Sequence, residues 1–435
     1  MKAMDSIIGY TAIKHELKQI SDTLKNSEFY DKRGVTAPRG LLLYGNPGVG
    51  KTLMATAIIE ESGRVAFTCR KDKPNGDFIK HIKSTFDKAA ESVPSIVYLD
   101  DMDKFTNGDA RHPDAEEYVT VQSCIDYVKD KNVFVLATVN NIQNLPPSLR
   151  RAGRFDRIIN IEAPRGKDAE MIIAHYLGKK KFVDGVDPKA IARIMDGRSC
   201  AELETVINEA GLIAGYHRMD HITMDHFMQA CMKTVFNITT PPEEINTEDP
   251  VSLYDPSCLR TQIAWHEAGH AVISEVLCPG SVTLISTYTE GHNHGGFTAY
   301  YNEYKMLPLD WNKSRIVTAL GGIAAIDQIF GIVDSGSNTD LNQAFVAAMG
   351  LVSEGGVCGL HLRKCTYDVS DRLRLEQEHA TAVEIERYYK KAKEILAKNR
   401  DFLSKLAEAL LCNVIITMSD VKKIKDSCRI TPVYL

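Results

Sequence analysis

Residues 40–61 read GLLLYGNPGVGKTLMATAIIEE. The opening apolar run has no polar break, which suits a strand buried on both faces in a parallel sheet. The next stretch, 45–52, crowds glycines and a proline ahead of Lys51 and Thr52. Apolar residues at helical spacing follow. Strand, glycine-rich loop and helix in that order form the context of a phosphate-binding loop. Gly45, Asn46, Pro47, Gly48, Val49 and Gly50 would turn backbone N–H groups towards phosphate oxygens. Lys51 would reach the β- and γ-phosphates of a nucleotide, and Thr52 would hold Mg²⁺. A plain glycine-rich turn is the bland alternative, and the flanking strand and helix argue against it.

Further short apolar runs lie outward from this segment: VAFT (65–68), SIVYLD (95–100), VFVLAT (133–138) and RIINI (157–161). Helical patterns such as 77–90 and 115–129 separate them. The alternation predicts an α/β fold with a doubly wound parallel sheet. SIVYLDDMD (95–103) places Asp100 at a strand end, where a Mg²⁺ partner belongs, with Asp101 next to polarise the attacking water. A third strand ends in ATVNN and offers Asn140 to orient that water. In SLRRAGRFDR (148–157), Arg154 and Arg157 have only Asp156 as a nearby acidic residue. A surface ion pair is the modest reading. The functional one makes them arginine fingers directed at a neighbouring subunit's γ-phosphate.

From 166 to about 235 the pattern is helical only, predicting an all-helical lid after the α/β core. NITTPPEEINTEDP (237–250) is rich in Pro, Thr and Glu and reads as a linker. The remainder is mostly helical, interrupted by one extended segment from SVTLISTY (281–288) to GGFTAYY (295–301). The predicted domains are a core at 1–163, a lid at 164–236, a linker at 237–250 and a further domain at 251–435.

The 435 residues exceed one ordinary core. A net charge of -5 argues against a general nucleic-acid binder. No apolar stretch reaches the roughly 18 residues needed to span a bilayer, and the N-terminus lacks an apolar signal core. Ten cysteines without a CxxC pair fit free thiols in a reducing, cytoplasmic setting.

The second chemical signal is TQIAWHEAGHAVISEVL (261–277). On a helix, His266 and His270 are one turn apart and share a face, so both imidazoles can meet one Zn²⁺. Glu267 stands beside them, able to take a proton from water. A catalytic zinc needs a third protein ligand. His292 and His294 in TEGHNHGGF, and Asp334 and Asp340 in DSGSNTDLNQA, are all candidates, and chemistry alone does not choose.

The motifs GNPGVGKT, IVYLDD, ATVNN and LRRAGRFDR resemble an AAA ATPase module. With HEAGHA downstream, their order is similar to the FtsH family of ATP-dependent zinc metalloproteases, over nearly the whole chain. The resemblance implies that 251–435 is a zinc metallopeptidase domain with Asp340 as third ligand, since SGSNTDLNQA matches the family's aspartate-bearing segment. It implies a homo-hexameric ring, polypeptide substrates, and Arg154 and Arg157 acting in trans. It places Ile7, Ile8 and Gly9 at the adenine pocket, with His175 approaching it. GGFTAYY resembles the edge strand that pairs with extended substrate.

Four departures stand out. The family's N-terminal membrane anchor is missing from the sequence, which predicts a member without one. Asp101 occupies the usual glutamate position and is one methylene shorter, which predicts slow ATP hydrolysis. Only Phe78 and Ile79, in TCRKDKPNGDFIKHI (68–82), echo the aromatic pore loop. An Asp-Gly-Phe segment is not visible in CIDYVKDKNV (124–133). Two alternatives follow: a peptidase whose AAA domain is an assembly scaffold or nucleotide switch, and a remodelling ATPase with a vestigial peptidase site.

Overall fold

The structure, a computed structural model, describes residues 3–72, 75–106, 115–151, 153–239, 252–288, 295–301, 309–332, 338–364 and 369–435. The chain divides into two compact units, Met1–Ala230 and Cys231–Leu435. His292, His294 and Asp334 lie outside the described residues.

The first unit holds a five-stranded sheet. Its strands are β1 (Gly40–Tyr44), β2 (Val65–Cys69), β3 (Ser95–Leu99), β4 (Val133–Val139) and β5 (Arg157–Asn160). All neighbours pair in parallel, in the order β2-β3-β4-β1-β5. The three central strands are the most apolar and the most buried, whereas β2 and β5 at the edges carry exposed residues. The helices are α1 (Thr11–Lys25), α2 (Ser27–Asp31), α3 (Lys51–Ser62), α4 (Asn75–Glu91) and α5 (Glu116–Tyr127). Four more follow the sheet: α6 (Gly166–Leu177), α7 (Pro188–Ile194), α8 (Cys200–Tyr216) and α9 (Met224–Phe236). The α/β alternation and the helical lid therefore appear as predicted.

In the second unit, α10 (Leu259–Leu277) is buried on nearly every side. Around it stand α11 (Leu309–Ala319), α12 (Gly321–Phe330), α13 (Asn338–Ser353), α14 (Asp371–Lys398), α15 (Arg400–Cys412) and α16 (Met418–Asp426). Ala264, Ala268 and Ala271 let neighbouring helices approach α10, and Trp265 fills the core beside them. A helix buried all round has no solvent face to offer, so its polar residues must be satisfied or used. A small antiparallel sheet covers one end: β6 (Val282–Ser286), β7 (Phe297–Tyr300) and β8 (Ile415–Thr417), in the order β7-β6-β8. The sequence reading missed β8, because a strand of only three residues after a long helical tail looks like more helix. Among the described residues, no helix is long and apolar enough to cross a membrane.

Candidate nucleotide site and metal centre

The phosphate loop leaves the C-terminal end of β1. Since β3, β4 and β1 are adjacent, Asp100, Asn140 and Gly45 emerge side by side from the same edge of the sheet. Gly48 and Gly50 take φ of 80° and 95°, a region that side chains disfavour, which is how the loop curls ahead of α3. Lys51 is buried, and desolvation lowers its proton affinity. Its Nζ donates to the carbonyls of Gly45 (2.7 Å) and Asn46 (2.9 Å) and to Asn140 Oδ1 (3.0 Å). Thr52 is exposed on the first turn of α3.

Asp100 is buried and accepts hydrogen bonds from Tyr98 Oη (2.6 Å) and Thr138 Oγ1 (2.9 Å). Asp101 sits at a left-handed φ of 51°. Its carboxylate pairs with Lys104 Nζ at 2.6 Å and accepts from Asn140 Nδ2 at 3.5 Å. The lid reaches the loop directly: the Ala201 N–H donates to the Gly48 carbonyl at 3.1 Å. Ser199 and Glu202 form a capping box that starts α8 at that point.

Ile7 is buried, Ile8 is half-buried, and Gly9 lies against the backbone of Asp168 at the start of α6. Next to them, Tyr10 Oη donates to the Glu162 carbonyl at 2.9 Å. His175 is exposed on α6, its ring edge-on to Tyr176.

One expectation needs correction. Arg154 does have an acidic partner besides Asp156. It forks onto Asp126 of α5, with Nε and Nη2 at 3.2 and 2.8 Å from the two carboxylate oxygens, and also donates to the Ser148 carbonyl at 2.7 Å. Asp156 instead accepts the backbone N–H groups of Arg39 (2.8 Å) and Gly153 (2.7 Å). The separation of Asp126 from Arg154 along the chain hid the pair. Arg157 is exposed at the start of β5. Phe78 is fully buried in α4, edge-to-face with Phe105 at 4.8 Å, so it is a core residue and not a pore-facing aromatic. Its neighbour Ile79 is half-buried.

The candidate metal centre is built on α10. His266 Nε2 and His270 Nε2 lie 3.0 Å apart, and each also faces Asp340 Oδ2, at 3.0 and 3.3 Å. Asp340 stands in the first turn of α13. Among the described residues this is the one His/Cys/Asp/Glu group close enough to hold a metal ion. His270 Nδ1 lies 2.7 Å from the Thr318 carbonyl, which can only accept. That contact puts the His270 proton on Nδ1 and aims the Nε2 lone pair at the centre. Two imidazole nitrogens and one carboxylate oxygen match the three-ligand set of a catalytic zinc. Burial pushes the Asp340 carboxyl up, but the imidazoles of His266 and His270 beside it outweigh that and hold it well below the usual carboxylate range.

Glu267 is buried beside the three donors. Desolvation raises its pKa above the ordinary glutamate value, opposed by His270 and His266 and by the Thr298 hydroxyl. Thr298 of β7 donates to Glu267 Oε2 at 2.7 Å. The two residues that sequence reasoning did not single out are Thr298 and Thr318, whose contributions depend on chain segments far from the HExxH turn.

A family model described as ATPase family associated with various cellular activities (AAA) matches residues 41–163. One for the AAA+ lid domain matches 185–229, and one for peptidase family M41 matches 257–424. The ATP-dependent zinc metalloprotease FtsH of Caldicellulosiruptor bescii is 30% identical over 457 residues, covering 96% of this chain and 71% of that protein. The proteins of the same name from Mycoplasma genitalium and Mycoplasma pneumoniae are each 30% identical across 99% of the chain. The chain spans 64% and 63% of their lengths, somewhat under two thirds. Matching modules in the same order, with identity carried along nearly the whole chain, show that this chain belongs to the family of ATP-dependent zinc metalloproteases typified by FtsH.

Proposed function

We propose that the protein is an ATP-dependent zinc metalloprotease that degrades polypeptides. The observation that carries the reading is the convergence of His266, His270 and Asp340 beside the buried Glu267, in a chain that also carries a complete phosphate loop. The three converging donors would hold Zn²⁺, which when bound supplies a Lewis acid that polarises the scissile carbonyl and acidifies water. Glu267 takes the proton from the attacking water and returns it to the leaving amine. Burial raises its proton affinity above that of an ordinary glutamate, which favours taking up that proton. Among the described residues β7 is an edge strand, the position from which a sheet can pair with an extended substrate.

In the nucleotide unit, Lys51 exchanges its carbonyl partners for phosphate oxygens. Asp100 and Thr52 would hold Mg²⁺, and Asp101 and Asn140 would orient water. Ile7, Ile8 and Gly9 bound the adenine side, with His175 at its rim. Arg154 and Arg157 act across the subunit boundary of a homo-hexamer. The working domains are 1–163, 164–236 and 251–435, joined by the linker 237–250. A cytoplasmic location is supported by nine described cysteines, all free.

The test pairs zinc content with ATP-dependent casein degradation on one purified sample. Stoichiometric zinc, and loss of cleavage with Glu267→Gln or a zinc chelator, are expected. Cleavage that survives both overturns the peptidase reading. The buried Phe78 and the Asp101–Lys104 pair favour one secondary reading, in which the AAA unit serves as a nucleotide switch. Equal cleavage of an unfolded peptide with ATP and a non-hydrolysable analogue would support it.

A further inference from the structure

Glu267 is anchored from outside its own helix. The face of β7 and its approach that meets α10 carries Gly296 and Thr298, two positions apart and so on the same side of the strand. A side chain at Gly296 would lie 2.6 Å from Glu267 Cγ and 2.6 Å from the Ser286 carbonyl. The chain therefore passes directly against the Glu267 side chain, and any Cβ at position 296 would force its neighbours to shift. Two residues on, Thr298 Oγ1 lies 2.7 Å from Glu267 Oε2 and 3.3 Å from the Glu267 carbonyl. One hydroxyl proton serves one acceptor well. The shorter, charge-assisted bond to the carboxylate is the stronger of the two.

We propose that Thr298 is a positioning residue for Glu267 and links the proton-transfer group to the strand that seats the substrate. Holding Oε2 fixes the plane of the carboxylate and leaves Oε1 to exchange the proton. A glutamate on a helix otherwise has several rotamers, of which one faces the metal centre. Because β7 is an edge strand, a peptide added to it bonds to the same short segment that fixes Glu267. Substrate seating and alignment of the base thus share one structural element. The inference rests on the zinc-peptidase reading above.

The experiment uses the full-length, zinc-loaded protein and a fluorogenic unfolded peptide. Thr298→Val keeps the shape and the strand preference and removes the donor; Thr298→Ser keeps the donor. A misaligned partner of this kind typically costs roughly 10–100-fold. The expected result is a drop of about that size in kcat for Thr298→Val, with KM within twofold and zinc stoichiometry intact, and recovery to within about threefold of wild type for Thr298→Ser. A Thr298→Val enzyme with unchanged kcat overturns the proposal. So does a Thr298→Ser enzyme as slow as Thr298→Val, which would assign the threonine to packing. Glu267→Gln run in parallel separates the levels. If it too remains active, the peptidase reading fails; if it is inactive while Thr298→Val is not, only the positioning role fails.

Discussion

Gly322 donates nothing to the metal centre, yet its replacement should weaken zinc binding. It lies at the second position of α12, and a Cβ built there runs into Cε1, Nε2 and Cδ2 of His266. The overlap is about 1 Å relative to the optimum carbon separation of roughly 3.5–4.0 Å. His266 is the easier of the two to displace, because the ring is the end of a side chain and α12 is packed into the core. Zinc ligands tolerate departures of about 0.2 Å, so a shift of this size removes one ligand from register. A loss of roughly 10–100-fold in affinity follows, about 1.4–2.7 kcal/mol. Alanine also gains up to about 1 kcal/mol in helix propensity, so the apo protein is not expected to unfold. The signature of Gly322→Ala is therefore weak zinc with a near-normal apo melting temperature. Competition against a chromophoric chelator measures the first, and thermal melts with and without zinc measure the second. Gly350→Ala is the control, since a Cβ at Gly350 on α13 meets nothing within 4 Å. Zinc affinity within threefold of wild type for Gly322→Ala would refute the reasoning.

Asp101→Glu restores the missing methylene and should raise ATP turnover by about tenfold to a hundredfold, measured as phosphate release at saturating ATP; an unchanged rate would show that carboxylate reach is not the limit. Arg154→Ala should lose ATPase activity by about 10³-fold or more if the residue acts in trans. Asp126→Asn, which only frees Arg154 from an exposed ion pair worth under about 1 kcal/mol, should keep that activity, and equal loss in both variants would make the pair structural. Asp327 is held below the ordinary carboxylate range by hydrogen bonds from Lys393 (2.7 Å) and Tyr389 (2.6 Å). A depressed folded pKa stabilises above the unfolded value of about 3.9, and the contribution fades as pH falls through the folded value. Asp327→Asn should therefore lower the melting temperature at pH 7, with the gap to wild type closing below about pH 4.

How far the sequence could be read depended on the range of the contact that fixes each residue. The phosphate loop was legible because strand, glycines, lysine and helix are consecutive, and the structure adds only the sheet order that brings Asp100 and Asn140 to its side. His266 and His270 were legible because the α-helical repeat alone puts them on one face. Asp340 was not, since nothing local separates it from Asp334, His292 or His294; resemblance selected it, and the fold then brought its Oδ2 to both imidazoles. Arg154 marks the opposite failure. Its sequence neighbourhood offers Asp156, but the β5 start and α5 bring Asp126 to it instead, and Asp156 turns to backbone N–H groups. Phe78 only echoed a pore-loop motif, and the helical pattern over 77–90 already set it at helical spacing with Ile82 and Phe86, all three of which face one core. The same argument explains Thr298. A threonine on a strand has no local mark of function, and its importance arises only because Gly296 lets β7 cross α10 at Glu267. Residues that act through a partner on another element are thus the ones most worth mutating, because neither motif nor period exposes them.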